Sequence, residues 1–231
     1  MDQYLDMAEH SFGFGTWNAS FWLLGPEQGM SKDESEHDRR YAAWKKLGSR
    51  DLDDCVAFHR EINDLRWHRE KPKPQFTWTR LISSLIGYGA TEIVDRRIYQ
   101  RDHWGRHPGQ GIESRTCVIE LSGLAANNQH VDRNRSAFLA SRIGMITANL
   151  RAYNPELLIL YGRSASCKLA WNEMTSTVKD LGKCSNGATV RKVNETILAW
   201  TDHTNARGFG RSLAHWQMFG KELNDFRQRA A

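Results

Sequence analysis

The sequence predicts an α/β protein: a three-layer α/β/α arrangement around a central, mainly parallel, four-stranded sheet. Four short apolar runs, 20–25, 116–123, 156–162 and 195–203, read as buried strands. Longer segments with helical spacing of apolar residues separate them. The runs break off at glycine or polar residues, as buried strands do when they leave a parallel sheet.

Taken in order, SFWLLG (20–25) enters a loop at Gly25-Pro26. Residues 34–64 are charged and periodic, with Tyr41, Trp44, Leu47, Val56, Phe58 and Ile62 as apolar points; this predicts two helices with a break near Gly48. The proline-rich REKPKPQ (69–75) predicts a connector. A helix is predicted over 77–89, stopped by Gly89, and another over 91–100. TCVIELSG (116–123) is the second strand. Residues 132–154 predict a long helix with an Asp cap, ending before Pro155. ELLILYG (156–162) is the third strand, and RSASCKLAW (163–171) opens the next helix. ETILAWTDH (195–203) is the fourth strand, and 211–226 is the closing helix. Without an internal repeat or low-complexity tail, the chain reads as a single domain, 1–231.

Composition narrows the class. A 231-residue chain that is 40% hydrophobic can bury one sizeable core. No stretch reaches 18 consecutive apolar residues, and the acidic N-terminus lacks an apolar signal core. The expectation is a cytoplasmic monomer with no membrane association. A net charge of +5, from 32 basic and 27 acidic residues, suits a polyanionic partner, and an ordinary basic surface explains it equally well. Most of the nine tryptophans belong in a core, with base stacking open to the rest. Cys55, Cys117, Cys167 and Cys184 contain no C-x-x-C pair, so no disulfide is expected. Cys117 reads as a small buried hydrophobe. Convergence of the four thiols on zinc or an iron–sulfur cluster is the alternative to the expectation of no metal and no cofactor.

In open α/β sheets ligands bind beyond the carboxyl ends of the strands. Glu27 follows the first strand, Asn127 and Asn128 the second, Arg163, Ser164 and Ser166 the third, and His203, Asn205 and Arg207 the fourth. The loop GPEQG (Gly25 to Gly29), the segment PELLILYGRSAS and the triplet HTN (His203 to Asn205), in this order, resemble the uracil-DNA glycosylase superfamily from about residue 20 to 226. Members end their first strand in G-x-D/N/E/A-P-G/Y and a late strand in H-P-S or a relative. Here the loop proline is displaced to Pro26, and Thr204 stands where the second proline would be. The clustered cysteines of the iron–sulfur branch are absent.

The resemblance implies a monofunctional DNA glycosylase that flips out an abnormal pyrimidine and hydrolyses its N-glycosidic bond, leaving an abasic site. Glu27 would stabilise positive charge on the sugar or orient a water, and His203 would donate to the departing base. Gly25 and Gly29 would line the base site. The strictest uracil enzymes carry a tyrosine at the Gly29 position, so glycine leaves room for a 5-substituent, unless Trp17, Phe76 or Trp78 closes the gap. Glu120 aligns with the asparagine that reads the uracil edge; with the alignment shifted, Ser122, Asn127 or Asn128 is the reader. A carboxylate accepts hydrogen bonds, which suits the exocyclic amine of cytosine. On that basis Glu120→Gln weakens excision of a cytosine derivative. Arg163, Ser164 and Ser166 would hold the DNA backbone, with Asn205 and Arg207 in a wedge loop.

Plainer roles stand beside these: a capping acid for Glu27, a structural histidine for His203, a paired acid for Glu120, an N-cap for Ser164 and a surface loop for 205–211. The substrate expectation is 5-modified cytosine, hydroxymethylated or glucosylated as in phage DNA. Uracil is the family default, and a non-catalytic DNA-binding module of the same fold is the third reading. No lysine stands out as a Schiff-base nucleophile. The motifs G-x-S-x-G, G-x-x-x-x-G-K-S/T and H-E-x-x-H are absent, and GFGTWN (13–18) is too short a glycine signal to mark a phosphate loop.

Overall fold

The computed structural model describes residues 4–29, 35–108, 115–125, 137–176, 178–205 and 212–230. Its strands are β1 (Gly13–Phe14), β2 (Phe21–Gly25), β3 (Leu52–Asp53), β4 (Thr116–Glu120), β5 (Leu157–Tyr161), β6 (Lys179–Lys183), β7 (Thr189–Val193) and β8 (Thr196–Thr201). Its helices are α1 (Leu5–His10), α2 (Ser35–Lys46), α3 (Cys55–Glu61), α4 (Phe76–Tyr88), α5 (Arg96–Asp102), α6 (Leu139–Tyr153), α7 (Ala165–Met174) and α8 (Leu213–Ala230).

The strands form one sheet in the order β3-β1-β4-β2-β5-β8-β7-β6. The apolar runs read from sequence are its centre, and β4, β2, β5 and β8 pair in parallel. The expectation of a four-stranded sheet is corrected to eight strands among the described residues. The additions are the two-residue strands β1 and β3 and the β6–β7 hairpin, which pairs antiparallel to β8. They went unread because the first two are too short for a periodic signal and the hairpin is rich in lysine and arginine. GFG is part of this sheet: a Cβ at Gly13 would lie 2.1 Å from the Val118 carbonyl oxygen, so the glycine serves backbone approach.

Alternation along the central strands feeds two cores. Phe21, Leu23, Val118, Ile159, Tyr161 and Ala199 face α2, α3, α4 and α8. Trp22, Leu24, Ile119, Leu158, Leu160 and Leu198 face α6 and α7. Helices therefore cover both faces, and the predicted α/β layering holds. Each buried Val, Leu, Ile or Phe among these side chains contributes about 1.5–3 kcal/mol. On the first face α4 and α8 pack backbone to backbone. A Cβ at Gly87 would sit 2.0 Å from the Gln217 carbonyl oxygen, and one at Gly220 would sit 1.9 Å from that of Ser84.

Helix boundaries follow local chemistry. Asp54 caps α3 by accepting from the Ala57 N–H, and β3 fills the break that the sequence places near Gly48. Gly89, at φ 107°, ends α4 as expected. The connector after α4 delays α5 to Arg96, where Asp95 caps it. α6 begins at Leu139, and the Asp cap expected at 132 lies outside the described residues. All four cysteines are free and buried. Cys55 and Cys184 lie in one core, and Cys117 and Cys167 in the other, so the four thiols do not converge. Among the described residues no helix is long and apolar enough to cross a membrane.

Candidate active site

Sheet register sets the site. Gly25 pairs with Glu120, Leu24 with Leu160, and Tyr161 with Thr201, so β2, β4, β5 and β8 reach their carboxyl ends side by side. Gly25, Glu120 and Tyr161 lie on the α4/α8 face by the same alternation. The Tyr161 hydroxyl lies beside the Glu120 carboxyl. A Cβ at Gly25 would lie 2.5 Å from that hydroxyl and 2.6 Å from Glu120 Oε2, so only glycine admits the pair. Gly25, expected to line a base pocket, makes room for the acid.

Glu120 is 6% exposed, and its Oε2 is buried with no hydrogen-bond partner among the described residues. Burial, reinforced by the negative charge of Glu27, pushes its carboxyl up to about 8, while Arg142 opposes the rise. Glu120 is therefore a neutral acid at pH 7, and this revises the sequence expectation. A neutral carboxyl both donates and accepts, as the amide of Gln does, so Glu120→Gln keeps the hydrogen-bonding pattern.

The shift carries a stability consequence with a fixed sign. Between its ordinary 4.5 and about 8 the native state holds a proton that the unfolded chain has lost. Stability therefore falls as pH rises through this window, by up to about 1.4 kcal/mol per pH unit. Urea midpoints measured from pH 6.5 to pH 8.5 are expected to fall in the wild type relative to Glu120→Gln, a difference in which the histidines common to both proteins cancel. Parallel curves for the two proteins contradict a buried neutral acid.

Glu27 follows Gly25-Pro26 in a loop anchored on both sides. The Leu121 N–H donates to the Gly25 carbonyl at 2.9 Å, and the Ser122 N–H donates to that of Pro26 at 3.1 Å. Buried Arg40 of α2 donates to Gln28 Oε1 at 2.6 Å and to the Gly29 carbonyl at 3.2 Å, and it pairs with Glu36 at 2.8 Å. Gly29 is exposed, and a Cβ there would meet nothing within 4 Å among the described residues.

His203 closes the arrangement. Its ring lies 5.9 Å from that of Tyr161. The Asn205 backbone N–H donates to Nδ1 at 3.2 Å, which makes Nδ1 an acceptor and leaves the proton on Nε2. Burial, with the charge of Arg80 as a further cause, holds the ring below its ordinary 6.5. His203 is thus a neutral imidazole with an Nε2–H to give. Glu27 and His203, 176 positions apart, are linked through Glu120 and Tyr161 at one end of the sheet.

The other predicted residues divide. Asn205 is a positioning residue: Arg80 bonds its Oδ1, and its Nδ2 lies 3.4 Å from the Thr77 hydroxyl. Thr204, in the place of the family proline, is fully buried and bonds Thr77 at 3.1 Å. Ser164 caps α7 by accepting from the Cys167 N–H, and its hydroxyl lies 2.7 Å from that of Ser166. Arg163 pairs with Asp202 at 2.9 Å and lies over the Trp200 ring. These three have structural partners without DNA. Asn127, Asn128 and Arg207 lie outside the described residues. Of the rings considered as fillers, Trp78 is buried in the α4 core, Phe76 is 67% exposed, and Trp17 packs on Trp22.

The sequence reading missed Tyr161, Arg40 and a basic groove. The groove, about 510 Å³, is lined by Phe76, Arg80, Arg96 and Arg97 among others. Arg80 joins it to Asn205 and so to His203. Guanidinium groups beside an exposed aromatic ring suit a phosphate backbone with a base stacked on it. Clustering of Phe76 and Arg80 with Arg96 and Arg97 was the available signal.

No protein-family model matches the chain. No curated protein matches it.

Proposed function

We propose that this chain is a monofunctional DNA glycosylase of the uracil-DNA glycosylase type, acting on an everted abnormal pyrimidine. The observation that carries the reading is the division of roles at one sheet end. Burial keeps Glu120 neutral, Glu27 stands by as the second carboxyl, and His203 offers an Nε2–H. Carboxylates driven apart in protonation mark acid and base roles. Glu27 would face the developing positive charge at the anomeric carbon and orient the attacking water. His203 would donate to the oxygen of the departing base, where negative charge grows.

Glu120 would read the base. Its carbonyl accepts from the N4 amine of cytosine while its O–H donates to N3; the same pair fits N3–H and O4 of uracil. Edge reading therefore admits both pyrimidines, and the space at Gly29 favours a 5-substituted one. Hydroxymethylated or glucosylated cytosine is the proposed substrate, with uracil as the alternative.

The test is release of free base, and of abasic sites, from oligonucleotides carrying uracil, hypoxanthine, 5-hydroxymethylcytosine or its glucosylated form. His203→Ala is expected to slow release about a hundredfold to a thousandfold while DNA affinity is kept. Affinity for DNA without release from any substrate, by wild type and variant alike, would identify a binding module instead. Strong release of uracil with none from modified cytosine would remove the substrate assignment and keep the chemistry.

A further inference from the structure

Cys55, His59 and His68 bring their ligand atoms within 4.8 Å of one another in a region that the proposed chemistry does not use. We propose that these three side chains bind one structural zinc ion, with solvent at the fourth position. Cys55 opens α3 and His59 follows one helical turn later on the same face. His68 comes from the segment after α3.

Geometry favours an ion over a chance meeting. The Cys55 sulfur is 3.5 Å from His59 Nδ1 and 3.9 Å from His68 Nε2, and the two nitrogens are 3.2 Å apart. Tetrahedral zinc, with Zn–S about 2.3 Å and Zn–N about 2.05 Å, sets edges of about 3.6 Å for S···N and about 3.3 Å for N···N. All three separations agree with these within a few tenths of an ångström. A thiolate with two imidazoles also suits zinc better than the oxygen-seeking cations.

The surroundings fix the ligands as a metal site requires. His68 Nδ1 lies 3.4 Å from the Arg101 carbonyl of α5, which calls for a proton on Nδ1 and turns the Nε2 lone pair toward the cluster. Cys55 and His59 are buried, and the rings of Trp67 and Trp78 pack on His59. Without an ion, His59 Nδ1 donates to the Cys55 carbonyl at 2.7 Å. Loading moves that proton to Nε2, frees the Nδ1 lone pair and releases the thiol proton to solvent, so one proton leaves per ion.

Position argues for a structural role. Phe14 of β1 pairs with Asp53 and with Val118, so Cys55, two residues past Asp53, lies beyond the middle of β4 on the side away from Glu120. The ion would tie α3 to the connector carrying His68 and, through the Arg101 carbonyl, to α5.

The full chain, purified without metal-binding tag or chelator, is expected to carry about one zinc per molecule by mass spectrometry of the digested protein. After zinc removal, Co²⁺ should give the sulfur-to-cobalt charge-transfer band and intense visible bands of a tetrahedral site. Cys55→Ser should abolish the charge-transfer band, and His68→Ala should weaken Zn²⁺ affinity roughly tenfold or more, while Cys184→Ser keeps both. A wild-type chain without bound zinc and without the Co²⁺ bands overturns the proposal, whatever the variants do. So does unchanged zinc in both ligand variants.

Discussion

Glu27→Gln is expected to slow base release about a thousandfold, the largest loss predicted for any single side chain at the site. The isosteric amide removes the charge and leaves untouched the groups that Arg40 holds, Gln28 and the Gly29 carbonyl. An oxocarbenium-like transition state then loses its nearest anion. DNA affinity should hold or rise, because a negative charge beside a polyanion has gone. Single-turnover measurements separate the two effects, since loss of chemistry lowers the maximal rate and leaves the half-saturating protein concentration unchanged. The same substitution reaches Glu120. With the Glu27 charge gone, one of the two causes raising Glu120 disappears, and burial alone remains. The fall in stability with rising pH, which begins near 4.5 in both proteins, should therefore end at a lower pH and be smaller in Glu27→Gln than in the wild type. Wild-type release rates in Glu27→Gln would remove Glu27 from the chemistry and the proposed mechanism with it.

The strands that build the site were legible because each is an apolar run buried on both faces, a pattern that needs no tertiary information. Glu27 and His203 were legible for a related reason: a charged or titratable residue directly after such a run has to sit at the sheet end. Tyr161 was hidden because it closes the run LLILY and counts there as one more apolar residue. Its hydroxyl matters only once register sets β5 beside β2, with Gly25 at the sheet end. The state of Glu120 was unreadable because burial and the neighbouring charge depend on two strands pairing across 95 positions of sequence. Cys55 and His59 did carry a local signal, four residues apart on a helix. His68 joins them only through the path of the connector.

Arg142 is the second position where a large effect is expected, and its signal was also present in sequence. It stands with Ile146 and Leu150 at spacings of four, on the buried stripe of α6. The side chain is 1% exposed and lies over the Phe12 ring. All five N–H groups of its guanidinium are used. Nε donates to the Leu121 carbonyl at 3.0 Å, Nη1 to those of Ala8 and Glu9 at 3.0 Å, and Nη2 to those of Ser11 at 2.9 Å and Glu120 at 2.7 Å. One fork thus satisfies carbonyls from α1, the turn after it and the end of β4. Burial lowers its guanidinium to about 10, which leaves it charged at neutral pH. Arg142→Met fills similar volume, leaves those carbonyls without this donor, and should cost roughly 3–5 kcal/mol in urea unfolding. Arg142→Lys should recover little, since an ammonium has three donors on a point charge. A loss under about 1 kcal/mol in Arg142→Met would mean that the carbonyls find other partners. The Glu120 bond makes the residue more than a staple. If Arg142→Met, assayed at a temperature where it is still folded, also releases base slowly, Arg142 positions Glu120. If release then matches the wild type, its work ends at holding the N-terminal segment against the sheet.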